Sequence, residues 1–185
     1  MKRNSFPLTG MILFLALAFL PAQIERLSLD DMVQRTDDVV YAEIVSREVI
    51  RIDDAVDGPE LYFTHLTLEG TSLRDGEDTT ITVTFPGGFV SATEGVWNSE
   101  APSDDDIKLG NRVVAFEKHL ANAGGGLECN FLYASHGGLY RTVDGPEGTV
   151  VLGRGPGYAI DNNLRLTDLE SAVAAISKTI KKEEL

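Results

Sequence analysis

Strict alternation over Thr80–Phe85 constrains this chain more than any other feature: Ile81, Val83 and Phe85 fall on one side of an extended segment, Thr80, Thr82 and Thr84 on the other. A period of two residues gives a strand one buried face and one wet face. Pro86-Gly87-Gly88 ends the run, because proline withholds a ladder amide and glycine turns the chain. The same pattern recurs along the chain. Val39–Ile52 is β-branched, with Val40, Ala42 and Ile44 on one side, and is long enough that it must bend or continue past Glu48. Leu61–Leu68, Arg112–Glu117, Glu128–Ala134, Leu139–Val143 and Thr149–Leu152 complete seven short strands. Ser135-His136-Gly137-Gly138 and Asp144-Gly145-Pro146-Glu147-Gly148 read as hairpin turns between them. Strands at this spacing form a sandwich or a barrel.

Two helices frame the strands. Ser28-Leu29-Asp30-Asp31 has capping-box spacing, and Leu29, Met32 and Val33 give the helix one apolar face suited to close an end of the sheet. Thr167-Asp168-Leu169-Glu170 is a second capping box, opening a helix over 167–183. Its stripe is Leu169, Val173, Ile176 and Ile180, while Lys178, Lys181 and Lys182 suit the negative end of the helix dipole.

The first 22 residues read as an address rather than as part of the fold. Lys2 and Arg3 precede the apolar run Met11–Leu20, which is too short for a spanning helix of about 20 apolar residues and has the form of a cleavable signal peptide, 1–22. A single β-rich domain over 23–185, secreted or periplasmic and with no stable membrane insertion after cleavage, is the organisation this implies. The lone Cys129 allows no internal disulfide framework, so stability must come from core burial. With 16 basic against 29 acidic residues and a net charge of −13, the chain is poorly suited to nucleic acid, where counterion release needs clustered cations.

Signals for catalysis are sparse. Gly153-Arg154-Gly155-Pro156-Gly157 lacks both the GxGxxG spacing and a Walker lysine and reads as a rigid turn. No GxSxG occurs. Ser135 and His136 adjoin in sequence, but strand neighbours point to opposite faces. His65, His119 and His136 lie on separate segments without HxH or HExxH spacing; a barrel that gathered them would suit a metal-dependent hydrolase, the main alternative reading. Asp53–Gly58 imitates the start of an EF-hand loop but carries Ala55 at its third position and Thr64 at its twelfth. No cofactor is indicated.

The connection 86–110 stands out because loops of that length are commonly binding loops or lids. It contains Phe89, Val90, Val96 and Trp97, the only tryptophan, followed by the acidic run Asp104-Asp105-Asp106. Either Phe89 and Trp97 fold back to cap the barrel, or they form an exposed aromatic patch with a polar rim, as interaction surfaces do.

One set of segments carries a family resemblance: Asp38–Val45, Thr67-Leu68-Glu69-Gly70, Thr82-Val83-Thr84-Phe85-Pro86-Gly87-Gly88, Pro102, and Gly110-Asn111-Arg112-Val113-Val114-Ala115-Phe116. In this order they resemble a group of exported bacterial proteins of unknown function, across about Leu27–Leu152. More remotely the layout resembles netrin-like and metalloprotease-inhibitor domains, which implies an OB-like five-stranded barrel with flanking helices. Those inhibitors engage zinc through an N-terminal cysteine, whereas the chain here continues from the signal as Gln23-Ile24-Glu25, so their chemistry does not carry over. The expectation is an exported, non-catalytic binding module for an unknown protein or envelope ligand, using Phe89, Val90 and Trp97 with Asp104, Asp105 and Asp106 as the rim. A purely structural envelope protein is the third reading.

Overall fold

The computed structural model describes residues 27–53 and 58–183. The signal reading over 1–22 and most of the Asp53–Gly58 run lie outside the described residues. The first element of the described residues is helix α1 (Leu29–Arg35), where Ser28 Oγ accepts from the Asp31 amide and the Asp31 carboxylate accepts from the Ser28 amide, the reciprocal box that the spacing implies. Strands β1 (Asp38–Ile52), β2 (Leu61–Ser72) and β3 (Asp78–Pro86) follow as a meander. A small hairpin of β4 (Gly88–Ser91) and β5 (Glu94–Val96) interrupts the long connection to β6 (Arg112–Leu120). Then come β7 (Cys129–Leu132), β8 (Leu139–Gly145), β9 (Gly148–Val151), β10 (Leu164–Arg165) and helix α2 (Leu166–Glu183). No helix among the described residues is long and apolar enough to cross a membrane.

Five strands close into a barrel in the order β1-β2-β3-β7-β6 and back to β1. Every pair is antiparallel except β3–β7, where Val83 faces Asn130 and Thr84 faces Phe131 in parallel register. Counted along the chain, the barrel strands run 1-2-3-5-4-1, the arrangement of an OB-type barrel. Val40, Ala42, Ile44, Leu66, Leu68, Val83, Phe85, Val113, Ala115 and Leu132 fill its interior. The intervening residues Val39, Val114 and Phe116 face outward into a second core with Met32 and Val33 of α1 and Leu169 and Val173 of α2. Burial on both faces is why β6 reads as the unbroken run Val113–Phe116 rather than as an alternation.

The length of β1 follows from its double task. Asp38–Glu43 pairs with β6 on one edge while Val40–Ile52 pairs with β2 on the other. The register shifts between Ile44 and Ser46, a bulge that bends the strand and lets its second half leave the barrel as a two-stranded arm with β2.

Four expectations need correction. Ser135–Gly138 is not a hairpin turn: β7 and β8 both run antiparallel to β6 along the same edge, and residues 134–137 loop out between them through a 3-10 turn. Ala134 and Ser135 take left-handed conformations to leave the edge. Gly138 lets the chain return, since a Cβ there would lie 1.9 Å from the Tyr133 carbonyl oxygen. Helix α2 starts at Leu166, so Thr167 lies in its first turn and is not the cap; the chain enters the helix straight from β10. Helix α1 does not close an end of the sheet but packs beside α2 on the outer face of β1 and β6. Finally, the described residues form ten strands rather than seven, because β4, β5 and β10 are too short to show a periodicity.

Gly70 sits opposite Ala42 in the barrel wall, and a Cβ there would lie 2.1 Å from the Tyr41 carbonyl oxygen. Gly70→Ala therefore forces β1 and β2 apart and should lower stability by about 1–3 kcal/mol. Urea unfolding measures this, and an unchanged midpoint would show that the wall tolerates the methyl group.

Candidate functional site

The connection 86–110 divides into two parts with opposite fates. The first part is the β4–β5 hairpin, whose stem is tied to β2. Gly87 donates its amide to the Tyr62 carbonyl at 2.7 Å, and Thr64 Oγ1 donates to the Gly87 carbonyl at 2.7 Å. Asn98 Nδ2 closes the stem by donating to the Pro86 carbonyl at 2.9 Å. Near the turn, Arg51 of the β1 arm donates to Glu94 at 2.9 Å and pairs with Glu60, so hairpin and arm are held together. On this fixed frame Trp97 is 75% exposed, Phe89 52%, Val96 46% and Val90 41%. The Phe89 ring lies against Gly95, where any Cβ would come within 2.8 Å of it. Phe89 and Trp97 therefore do not cap the barrel.

The second part does that job. Ile107, only 2% exposed, joins the interior cluster with Ala101 packed against it, and Pro102 is buried beside them in sequence. Gly110 donates to the Ile44 carbonyl and the Ile44 amide to the Asn111 carbonyl, both at 2.9 Å, which fixes this plug to the β1 bulge.

The acidic run belongs to the plug rather than to the hairpin. Asp104 pairs with Arg47 at 2.9 Å, Asp105 with Lys108 at 2.6 Å, and Asp106 with Arg154 at 2.9 Å. Lysine holds the Asp105 carboxyl below its ordinary pKa by hydrogen bond and charge. Each carboxylate has its own cation, so the three do not converge, and Asp106 is mostly buried.

The histidines stay apart. His65 Nδ1 contacts Thr84 Oγ1 at 2.7 Å on the barrel wall, and burial pushes its pKa down. His119 lies at the end of β6, 3.4 Å from Glu128. His136 sits in the looped-out turn between the Glu100 carbonyl at 3.1 Å and the Tyr158 hydroxyl at 2.9 Å, and both nitrogens are thus engaged away from Ser135. Among the described residues no three His, Cys, Asp or Glu side chains gather as metal ligands would. Cys129 is half-buried, and burial raises its thiol pKa, which opposes a thiolate nucleophile.

Comparison with protein-family models, with curated proteins and with solved structures finds no match. Function has to be read from surface chemistry.

Two polar features escape sequence reading. One is a cavity beside Arg154 and Tyr158, taken up below. The other is Glu117 of β6, which is 4% exposed and whose Oε2 has no hydrogen-bond partner. Burial first, then the nearby Asp37 and Asp38 carboxylates, push its pKa to about 7. Arg74 lies across the same region, donating to the Val33 and Thr36 carbonyls and to Ser177 Oγ, and so ties α1 and α2 to the turn after β2. An isolated glutamate late in a strand gives no sequence signal of such burial.

A folded-state pKa above the unfolded one means that the unfolded chain ionises Glu117 first, so the folded state loses stability as pH rises from about 4 to about 7. Glu117→Gln removes that loss. Relative to the parent, the variant should gain up to about 3 kcal/mol across this window and keep a constant difference above it. Urea unfolding of both proteins over a pH series checks the trend; a difference independent of pH would contradict the buried acid.

Proposed function

We propose that this chain is an exported, non-catalytic binding module that engages a partner protein through the aromatic β4–β5 hairpin. The observation that carries the reading is the exposure of Phe89, Val90, Val96 and Trp97 on a hairpin whose stem and turn are both tied down. Leaving such side chains in water forgoes roughly 1.5–3 kcal/mol each for the larger ones, a cost that a partner's surface would reverse. Because the frame is already ordered, little conformational entropy is lost on docking. Tryptophan and aromatic anchors of this kind dominate interface energetics.

Position and charge support the same reading. The hairpin stands beside the β1–β2 arm, and Gly125 of the β6–β7 connection approaches Ile52 of that arm, so loops from three parts of the chain cluster at one end of the barrel. OB-type barrels carry ligand contacts on the corresponding loops. With a net charge of −13 and Glu60 and Glu94 flanking the patch, the complementary partner has an apolar recess with a basic rim. Export rests on the reading of residues 1–22 as a signal peptide.

Phe89→Ala/Trp97→Ala should keep the parent's circular dichroism and urea midpoint, because both side chains are exposed. A partner captured from the native envelope by the parent should bind the double variant at least about 100-fold more weakly. Equal capture by both would reject the hairpin as the binding surface.

A further inference from the structure

The cavity beside Arg154 lies against β8 and the loop after β9. It measures about 340 Å³ and is lined by Asp106, Arg141, Leu152, Gly153, Arg154 and Tyr158. That volume is at the small end of ligand sites. Two guanidinium groups on one small concave surface are unusual placement for a chain this acidic.

The two arginines differ. Arg154 is built into the fold: its Nε donates to the Leu139 carbonyl and its Nη2 to Asp106, both at 2.9 Å, and its guanidinium lies 5.9 Å from the centre of the Tyr140 ring. The Arg141 side chain makes no hydrogen bond or ion pair among the described residues; Asp105, whose carboxylate senses its charge, is bonded to Lys108. With Arg154 matched by Asp106, the cavity holds one uncompensated positive charge, on a planar fork suited to bidentate binding.

Tyr158 supplies a wall rather than a donor. Its hydroxyl is engaged by His136 Nε2 at 2.9 Å, while His136 Nδ1 faces the Glu100 carbonyl at 3.1 Å. The Tyr158 ring is clamped against Gly137 and edge-on to the imidazole, and Leu152 gives the cavity an apolar side. An anion would thus be held by guanidinium, with its body against Tyr158 and Leu152.

We infer that this cavity binds a small monocarboxylate with an apolar or aromatic body, recognised by Arg141 and seated against Tyr158 and Leu152. A single free charge matches a carboxylate better than a doubly charged phosphate. The site is independent of the aromatic hairpin and uses none of its residues.

Titration of the isotope-labelled full chain with benzoate, followed by amide chemical shifts, tests the assignment. Saturable shifts should centre on Arg141, Gly153 and Tyr158, with Kd at or below about 1 mM. Benzamide, the neutral counterpart, and inorganic phosphate should each bind at least tenfold more weakly. Arg141→Gln should weaken benzoate at least tenfold while leaving the urea midpoint unchanged, and Phe89→Ala/Trp97→Ala should leave it untouched. The assignment is overturned by absence of saturation at about 10 mM benzoate, by phosphate binding as tightly as benzoate, or by binding that survives Arg141→Gln. A short peptide with a free C-terminal carboxylate binding more than tenfold tighter than benzoate would also overturn it, by making a chain terminus the occupant.

Discussion

Barrel closure depends on β1 being paired along both edges. Its first half lies between β2 and β6, and the circle is completed on the far side by the parallel contact of β3 with β7. Closure removes the exposed edges that would invite aggregation. It also dictates the connection that follows β3, because a chain that must return to the other side of β1 has to cross an end of the barrel. Ile107, with Ala101 packed against it, makes use of that crossing to stopper the interior, and the hydrogen bonds of Gly110 and Asn111 to Ile44 anchor the stopper at the β1 bulge. The stopper needs only the second part of the connection. Residues 88–97 are therefore surplus to closure, and they carry the exposed Phe89 and Trp97.

Arginine does the joining around this frame. Arg51 links the hairpin to the β1–β2 arm, Arg74 links both helices to the turn after β2, and Arg154 links the plug to β8. A guanidinium offers five donors in a fixed plane, so one side chain can satisfy carbonyls and a carboxylate from separate elements at once. In a chain with 29 acidic residues, each such cation also relieves local repulsion among carboxylates. Arg141 is outside this scheme, since it has no such partner among the described residues.

Much of the fold is legible wherever one face of a strand is wet. Alternation identifies β3 and the start of β1, paired glycines identify the β8–β9 turn, and Ser28 with Asp31 identifies the entry to α1. What was not legible depends on contacts between residues far apart in sequence. The excursion at 134–137 uses Ala134 and Ser135 in left-handed conformations, against local preference, so its glycines mimic a hairpin. The site shows the same division. Trp97 and Phe89 are conspicuous in the sequence, but hydrophobic content alone is the same for a cap and for a patch. Ile107, an isolated apolar residue after three aspartates, gives no hint that it fills the barrel. The aspartates seem a single rim only until their cations are seen, because Arg47 and Arg154 arrive from distant segments.

The division of the 86–110 connection into a buried plug and an exposed hairpin is the claim on which the functional reading stands, and the single tryptophan reports on it directly. Trp97 fluorescence of the dilute full chain should be measured with acrylamide as quencher, a neutral molecule that the net charge of −13 does not repel. An indole 75% exposed should emit as in water and be quenched nearly as readily as free tryptophan amide, with little change on unfolding in urea. Blue-shifted emission and strong protection, both lost on unfolding, would place Trp97 in the core and contradict the exposed hairpin.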